Sequence, residues 1–217
     1  MNSKQKILER IRKGILQENQ LELPTRAFKD PTRGWDLEKR LHRFQDELSQ
    51  LRGESFVVRS AEELRHPMKA IVQQAPPGPI LLAESVGMES IHIREWICDQ
   101  DSEHFVITRK TIQKKDGIKA ALGITEADCG IAETGTLIFK SSPSSPLVFS
   151  LWPRTHIAIL SAKRLYGSLE QALTADPQIS QGHTVMVTGP SRTADIEKTL
   201  VLGMHAPQKL YVFILLD

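Results

Sequence analysis

The apolar pattern of this chain changes near residue 54. Before that point apolar residues recur at helical spacing. Ile7, Leu8, Ile11, Ile15 and Leu16 share one stripe between residues 3 and 17. Leu37, Leu41, Phe44 and Leu48 share another between residues 36 and 51, closed by Gly53. Residues 19–34 hold Pro24, Pro31 and Gly34 with few apolar side chains, and read as an exposed connection. After residue 54 short apolar runs take over, at 56–58, 80–83, 105–107, 121–125, 136–139, 156–160, 184–188 and 209–215. Runs of this length, β-branched and bounded by turn residues, predict strands. Helices are expected between them at 61–74, 90–98, 167–173 and 193–201. Such alternation predicts a layered α/β fold, a mostly parallel sheet flanked by helices, preceded by an N-terminal helical arm. The expected division is residues 1–52 for the arm and 53–217 for the α/β core.

One stretch interrupts this pattern with chemistry. Gly123 to Phe139, GITEADCGIAETGTLIF, is apolar except for a knot of small and polar residues around Glu133, Thr134, Gly135 and Thr136. Buried polar groups require partners. The knot is therefore a tight structural turn or a site. Glu133 fits a nucleophile, a general base or a ligand-binding carboxylate, and equally a carboxylate that holds a turn through backbone N–H groups. A companion stretch runs from Thr188 through Gly189, Ser191, Arg192 and Thr193 to Glu197. It reads as a strand, a sharp turn at Gly189, and a helix starting near Thr193. Backbone N–H groups at a helix start attract anions, and the Arg192 guanidinium suits a carboxylate or phosphate. The plainer reading is that Ser191 or Thr193 caps the helix. His156 opens an apolar strand, and a lone histidine there reads equally as a packed structural residue.

These stretches, together with Pro153 to Ile157 and TGPSRTADIEKTLVLGMHAP at residues 188–207, resemble the bacterial lactate utilisation protein C family, the LUD-domain proteins. The resemblance is strong over the C-terminal half and loose before it. It implies a LUD-type core, similar in fold to CoA transferases and sugar-phosphate isomerases. It implies a part in the oxidation of L-lactate to pyruvate, alongside separate iron–sulfur subunits. By the same resemblance Glu133 is the candidate catalytic group. Thr134, Gly135, Thr136, His156, Gly189, Ser191, Arg192 and Thr193 are candidate substrate-binding residues for a small carboxylate, gathered around one pocket. Whether the chain catalyses, binds substrate or only supports assembly stays open. A stand-alone CoA transferase or sugar-phosphate isomerase and a non-catalytic assembly subunit are the alternatives.

Charge and cysteine usage narrow the picture. A formal net charge of +2, with Lys and Arg scattered, gives no electrostatic case for nucleic acid. Cys98 and Cys129 are the only cysteines of the sequence, too few to ligate an iron–sulfur cluster within the chain. No dinucleotide fingerprint, phosphate-loop motif or paired-histidine metal motif occurs, so no cofactor or metal is expected here. The N-terminus lacks an apolar signal core and no apolar run approaches membrane-spanning length. The expected compartment is the cytoplasm. The purified chain, free of partners, should carry no stoichiometric iron, as measured by a colorimetric iron assay and the visible spectrum.

Overall fold

Six strands rich in Ile, Leu and Val form an all-parallel sheet because both faces are covered, as such sheets require. The computed structural model describes residues 3–18, 30–100, 104–108, 111, 119–194, 200–202 and 207–216. The strands are β1 (Glu54–Val58), β2 (Gly78–Leu82), β3 (His104–Ile107), β4 (Leu122–Glu126), β7 (Thr155–Ser161) and β12 (Lys209–Leu215), in the order β1-β12-β7-β4-β2-β3. Between β4 and β7 the chain leaves this sheet and begins a second one, completed by two strands that follow β7. That sheet contains β5 (Cys129–Ile131), β6 (Thr136–Lys140), β8 (Leu165–Tyr166) and β9 (Thr184–Val187), in the order β8-β5-β6-β9.

Alternation along the parallel strands sorts the core into two sides. Ile157 and Ile159 of β7 and Tyr211 and Phe213 of β12 face one side. There they pack with α3 (Ala61–Gln74), α4 (Val86–Ser90) and α5 (Ile93–Gln100) through Leu64, Met68, Met88 and Ile97. Ala158, Leu160, Val212 and Ile214 face the other side and meet Leu137 and Phe139 of the second sheet. The outer face of that sheet is covered by α7 (Leu169–Ala175), which follows the short α6 (Val148–Leu151) and contributes the buried Ala172. The result is helices, parallel sheet, small sheet and a last helix in layers.

Helix α2 (Leu37–Gln50) belongs to this core. Asp36 caps it by accepting from the Lys39 N–H at 2.8 Å. Its Phe44 and Leu48 are fully buried against the second sheet, and the Arg40 guanidinium donates to the Leu165 carbonyl at 2.6 Å. The chain accordingly divides between Pro31 and Thr32, not near residue 52. The stripe of α2 predicted the helix correctly; which element would cover that stripe was not written in local spacing. The first unit contains α1 (Ser3–Glu18), where Ile7 and Leu8 are 58% and 44% exposed. Residues 19–29 of the expected connection lie outside the described residues.

The expected strands and helices are present over most of the chain. The helix expected at 90–98 is α5, which starts at Ile93; α4 ends at Ser90 before it, and between them His92 has φ +48°. The helix expected from Thr193 to Val201 is replaced at both ends by strand. β10 (Arg192–Ala194) pairs antiparallel with β11 (Leu200–Leu202), Thr193 opposite Val201. Residues 195–199 lie outside the described residues. Among the described residues no helix is long and apolar enough to cross a membrane.

Replacing Leu48 with alanine should destabilise the protein by about 3 kcal/mol, as deletion of a fully buried leucine does. A helix outside the core would lose under about 0.5 kcal/mol. Urea denaturation of both forms measures the difference.

Candidate functional site

The parallel sheet reverses its build order between β2 and β4. The step from β2 to β3 moves to one side, and the steps to β4, β7 and β12 move to the other. Open α/β sheets bind ligands at the carboxyl ends of strands flanking such a reversal. A cleft of about 480 Å³ lies there, reached by Ser85 after β2, Glu126 at the end of β4 and Arg164 after β7.

Each side chain is placed by local structure. Ser85 caps α4, its Oγ accepting from the Met88 N–H at 3.3 Å. The same hydroxyl donates to the Glu126 carboxylate in a short contact. Gly87 allows this approach, since a Cβ there would sit 2.5 Å from Glu126 Oε1. Beyond Glu126 the backbone crosses between sheets. The Ala127 N–H donates to Ile159 of the parallel sheet and the Asp128 N–H to Ile138 of the second, both at 2.8 Å.

Asp128 then holds the other wall. Its carboxylate accepts the Lys140 backbone N–H at 2.7 Å and lies 3.5 Å from the Lys140 ammonium. That ammonium also donates to Asp176 at 2.8 Å. Burial opposes the Lys140 charge, but the Asp176 hydrogen bond and the Asp128 charge outweigh it and raise the pKa. The Lys140 hydrogen bond holds the Asp176 carboxyl below its ordinary range. After Lys140 comes a loop with Ser141, Ser142, Ser144 and Ser145. It is pinned by Glu84 N–H to Ser144 O at 3.0 Å and Ser145 N–H to Ser142 Oγ at 2.9 Å. Arg164 enters from a 3₁₀ turn at Ala162–Arg164; it is exposed and makes no ion pair among the described residues.

The residues singled out from the sequence fall elsewhere. Glu133, Thr134 and Gly135 form the turn of the β5–β6 hairpin, at its far end from Asp128 and Lys140. Thr134 Oγ1 lies 2.7 Å from Thr136 Oγ1, which lies 2.8 Å from Thr188 Oγ1. The structure thus brings the knot and the start of the C-terminal stretch together across β6 and β9. The end of α2 occupies the space beside them. At Gly135 (φ +63°) a Cβ would sit 2.7 Å from Leu48 N, and at Gly189 (φ +83°) 2.8 Å from Leu51 Cβ. The half-buried Glu133 donates its backbone N–H to Gly167 at 3.1 Å. Ser191 donates its N–H to Pro207 at 2.9 Å. Arg192 and Thr193 lie on strand β10, so the expected helix start, with its free N–H groups, is absent there.

His156 was expected to bind substrate and is instead fully enclosed between the two sheets. Its Nε2 lies 2.8 Å from Thr125 Oγ1, its ring packs on Phe139, and Nδ1 has no partner. Burial pushes its pKa down to about 3, so the ring is neutral. Burial first, and then the Asp128 charge, push the Cys129 thiol up to about 12, which leaves it protonated and inert as a nucleophile. Among the described residues no group of three or more His, Cys, Asp or Glu is placed to hold a metal ion. The cleft escaped the sequence reading because serines after a strand end carry no distinctive pattern until the sheets bring them beside Glu126 and Arg164. The pair Glu126 and Asp128, two positions apart at a strand end, was the available signal.

Comparison with known proteins decides the family. The sequence model of the LUD domain matches residues 41–215, from within α2 to the end of β12. The chain belongs to the LUD domain family. Lactate utilization protein C of Geobacillus sp. is 30% identical over 172 residues, covering 73% of this chain and 70% of that protein. The protein of the same name from Bacillus subtilis is 33% identical over 143 residues, covering 63% of this chain and 56% of its own. An uncharacterized protein of Neisseria meningitidis is 36% identical over 97 residues, which spans only 42% of its length. A crystal structure of a DUF162 family protein from Deinococcus radiodurans superposes with a TM-score of 0.59 at 16% identity, over 83% of this chain and 99% of that one. That likeness supports the LUD-type α/β fold.

His156 sets a pH dependence for the LUD core. Its folded pKa of about 3 lies below the ordinary 6.5, so the neutral ring stabilises the fold fully above about pH 6.5. The contribution is lost as pH falls from there toward 3, at about 1.4 kcal/mol per pH unit. Between pH 7 and 5 the native protein should lose about 2 kcal/mol more than a His156→Gln variant. Urea denaturation at both pH values measures this slope.

Proposed function

We propose that this LUD-domain protein serves the oxidation of L-lactate to pyruvate, with the cleft at the ends of β2, β4 and β7 as its ligand site. The observation that carries the reading is the long match to proteins named lactate utilization protein C, over 73% of this chain in the Geobacillus relative. The cleft's chemistry agrees with a carboxylate ligand. Arg164 offers a bidentate donor, serine hydroxyls offer neutral hydrogen bonds, and Glu126 takes the place of a carboxylate at a strand end. Electrons leaving lactate pass to separate iron–sulfur subunits in this reading. Two cysteines, one exposed and one buried, suit a chain that leaves the clusters to its partners.

A strain lacking this gene should fail to grow on L-lactate as sole carbon source, and the native gene should restore growth. Arg164→Ala and Glu126→Gln should fail to restore it while accumulating to native levels by immunoblot. Glu133→Gln and Arg192→Ala should restore growth. If those two fail and the cleft variants succeed, the ligand site belongs at the hairpin turn instead. Full growth of the deletion strain on lactate would remove the lactate reading altogether.

A further inference from the structure

The cleft is large and polar for a three-carbon acid. At about 480 Å³ it has room for roughly sixteen waters. L-lactate, with six non-hydrogen atoms, fills roughly a third of that on the same volume per atom. Ala127 is the one apolar residue lining the cleft among the described residues, and no aromatic ring faces it. A stacked ligand therefore finds no ring to pack on among the described residues. The remaining space is matched only by a ligand that hydrogen-bonds along its length and displaces water group for group.

The charges specify more. Lys140 is committed to Asp128 and Asp176. That leaves Arg164 as a cation and Glu126 as an anion without an opposite charge bound to them among the described residues. Glu126 receives the Ser85 proton and retains acceptor capacity for a ligand hydroxyl. Among the described residues, with Asp176 included, three carboxylates face two cations, so a dianion is less welcome than a monoanion.

Resting on the reading of the cleft as the ligand site, we infer that it binds a polyhydroxylated monocarboxylate, of the sugar-acid class. Its carboxylate lies on Arg164 and its hydroxyls on Glu126 and the Ser141–Ser145 loop. L-lactate, with a single hydroxyl, can use the Arg164 contact and only one of the hydroxyl positions. A six-carbon sugar acid, with thirteen non-hydrogen atoms, fills roughly four-fifths of the cleft on the same volume per atom.

Isothermal titration calorimetry of the full chain tests this with sodium D-gluconate, L-lactate, D-ribose 5-phosphate and the neutral polyol ribitol. Gluconate should bind at least tenfold tighter than each of the other three. Arg164→Ala should weaken gluconate at least tenfold and Arg164→Lys less, while Lys163→Ala, next in sequence but outside the cleft lining, should leave it within twofold. Thermal denaturation confirms that each variant is folded. Absence of gluconate binding, tighter binding of L-lactate or ribose 5-phosphate, or a gluconate affinity indifferent to Arg164→Ala overturns the inference. The growth assay separates the two readings. Variants that fail on lactate in a protein that ignores gluconate remove the ligand class alone. Gluconate binding through Arg164 in a strain whose growth needs no such protein removes the lactate role alone.

Discussion

Two adjacent backbone N–H groups, those of Ala127 and Asp128, bond to two different sheets, and the architecture turns on that step. At this point the chain stops being a parallel strand and becomes the approach to an antiparallel hairpin. Both N–H groups keep a partner in the crossing, so the core can stay closed around them. The crossing also opens the cleft. Glu126 is the last residue aligned with the parallel sheet and Asp128 the first committed to the smaller one, so their carboxylates stand on different walls.

The two glycine turns and α2 form the opposite end of the same design. Gly135 and Gly189 let the hairpin and the β9 exit close on the end of α2, whose Phe44 and Leu48 join the core between the two sheets. The polar knot that stands out in the sequence is thus spanned by a chain of three threonine hydroxyls, each satisfied by the next. Its conspicuousness reflects tight packing of backbone on backbone. The cleft-lining residues belong to ordinary surface types and stand out only once the sheets converge.

What the sequence revealed follows from how local each signal is. Parallel strands buried on both faces leave continuous apolar runs, and 209–215 is legible as strand for that reason. Helix α3 is found where a helix was expected between strands, at Ala61–Gln74. Two-residue and three-residue strands such as β8 and β5 carry too few positions for a period. The segment after Ser191 carries acidic and small residues that favour a helix start, yet Arg192 to Ala194 pairs with Leu200 to Leu202, where tertiary pairing overrides local preference. The cleft assembles from residues 85, 126, 140–145 and 164, whose proximity depends on strand order, and strand order is not a local property.

The position of β12 has a consequence for how this protein comes into being. The strand lies between β1 and β7, inside the sheet, and Glu54 near the start of the core pairs with Tyr211. During synthesis at roughly 5–20 residues per second, β1 must wait roughly ten seconds or more for its neighbour to be made. In that interval the β1-facing and β7-facing slots expose unpaired strand edges, the kind of surface that recruits other chains. Contacts of such long sequence separation also slow the folding search itself. The nascent protein is therefore most exposed to misassociation just before its sheet closes, and that period is where a chaperone would have most effect.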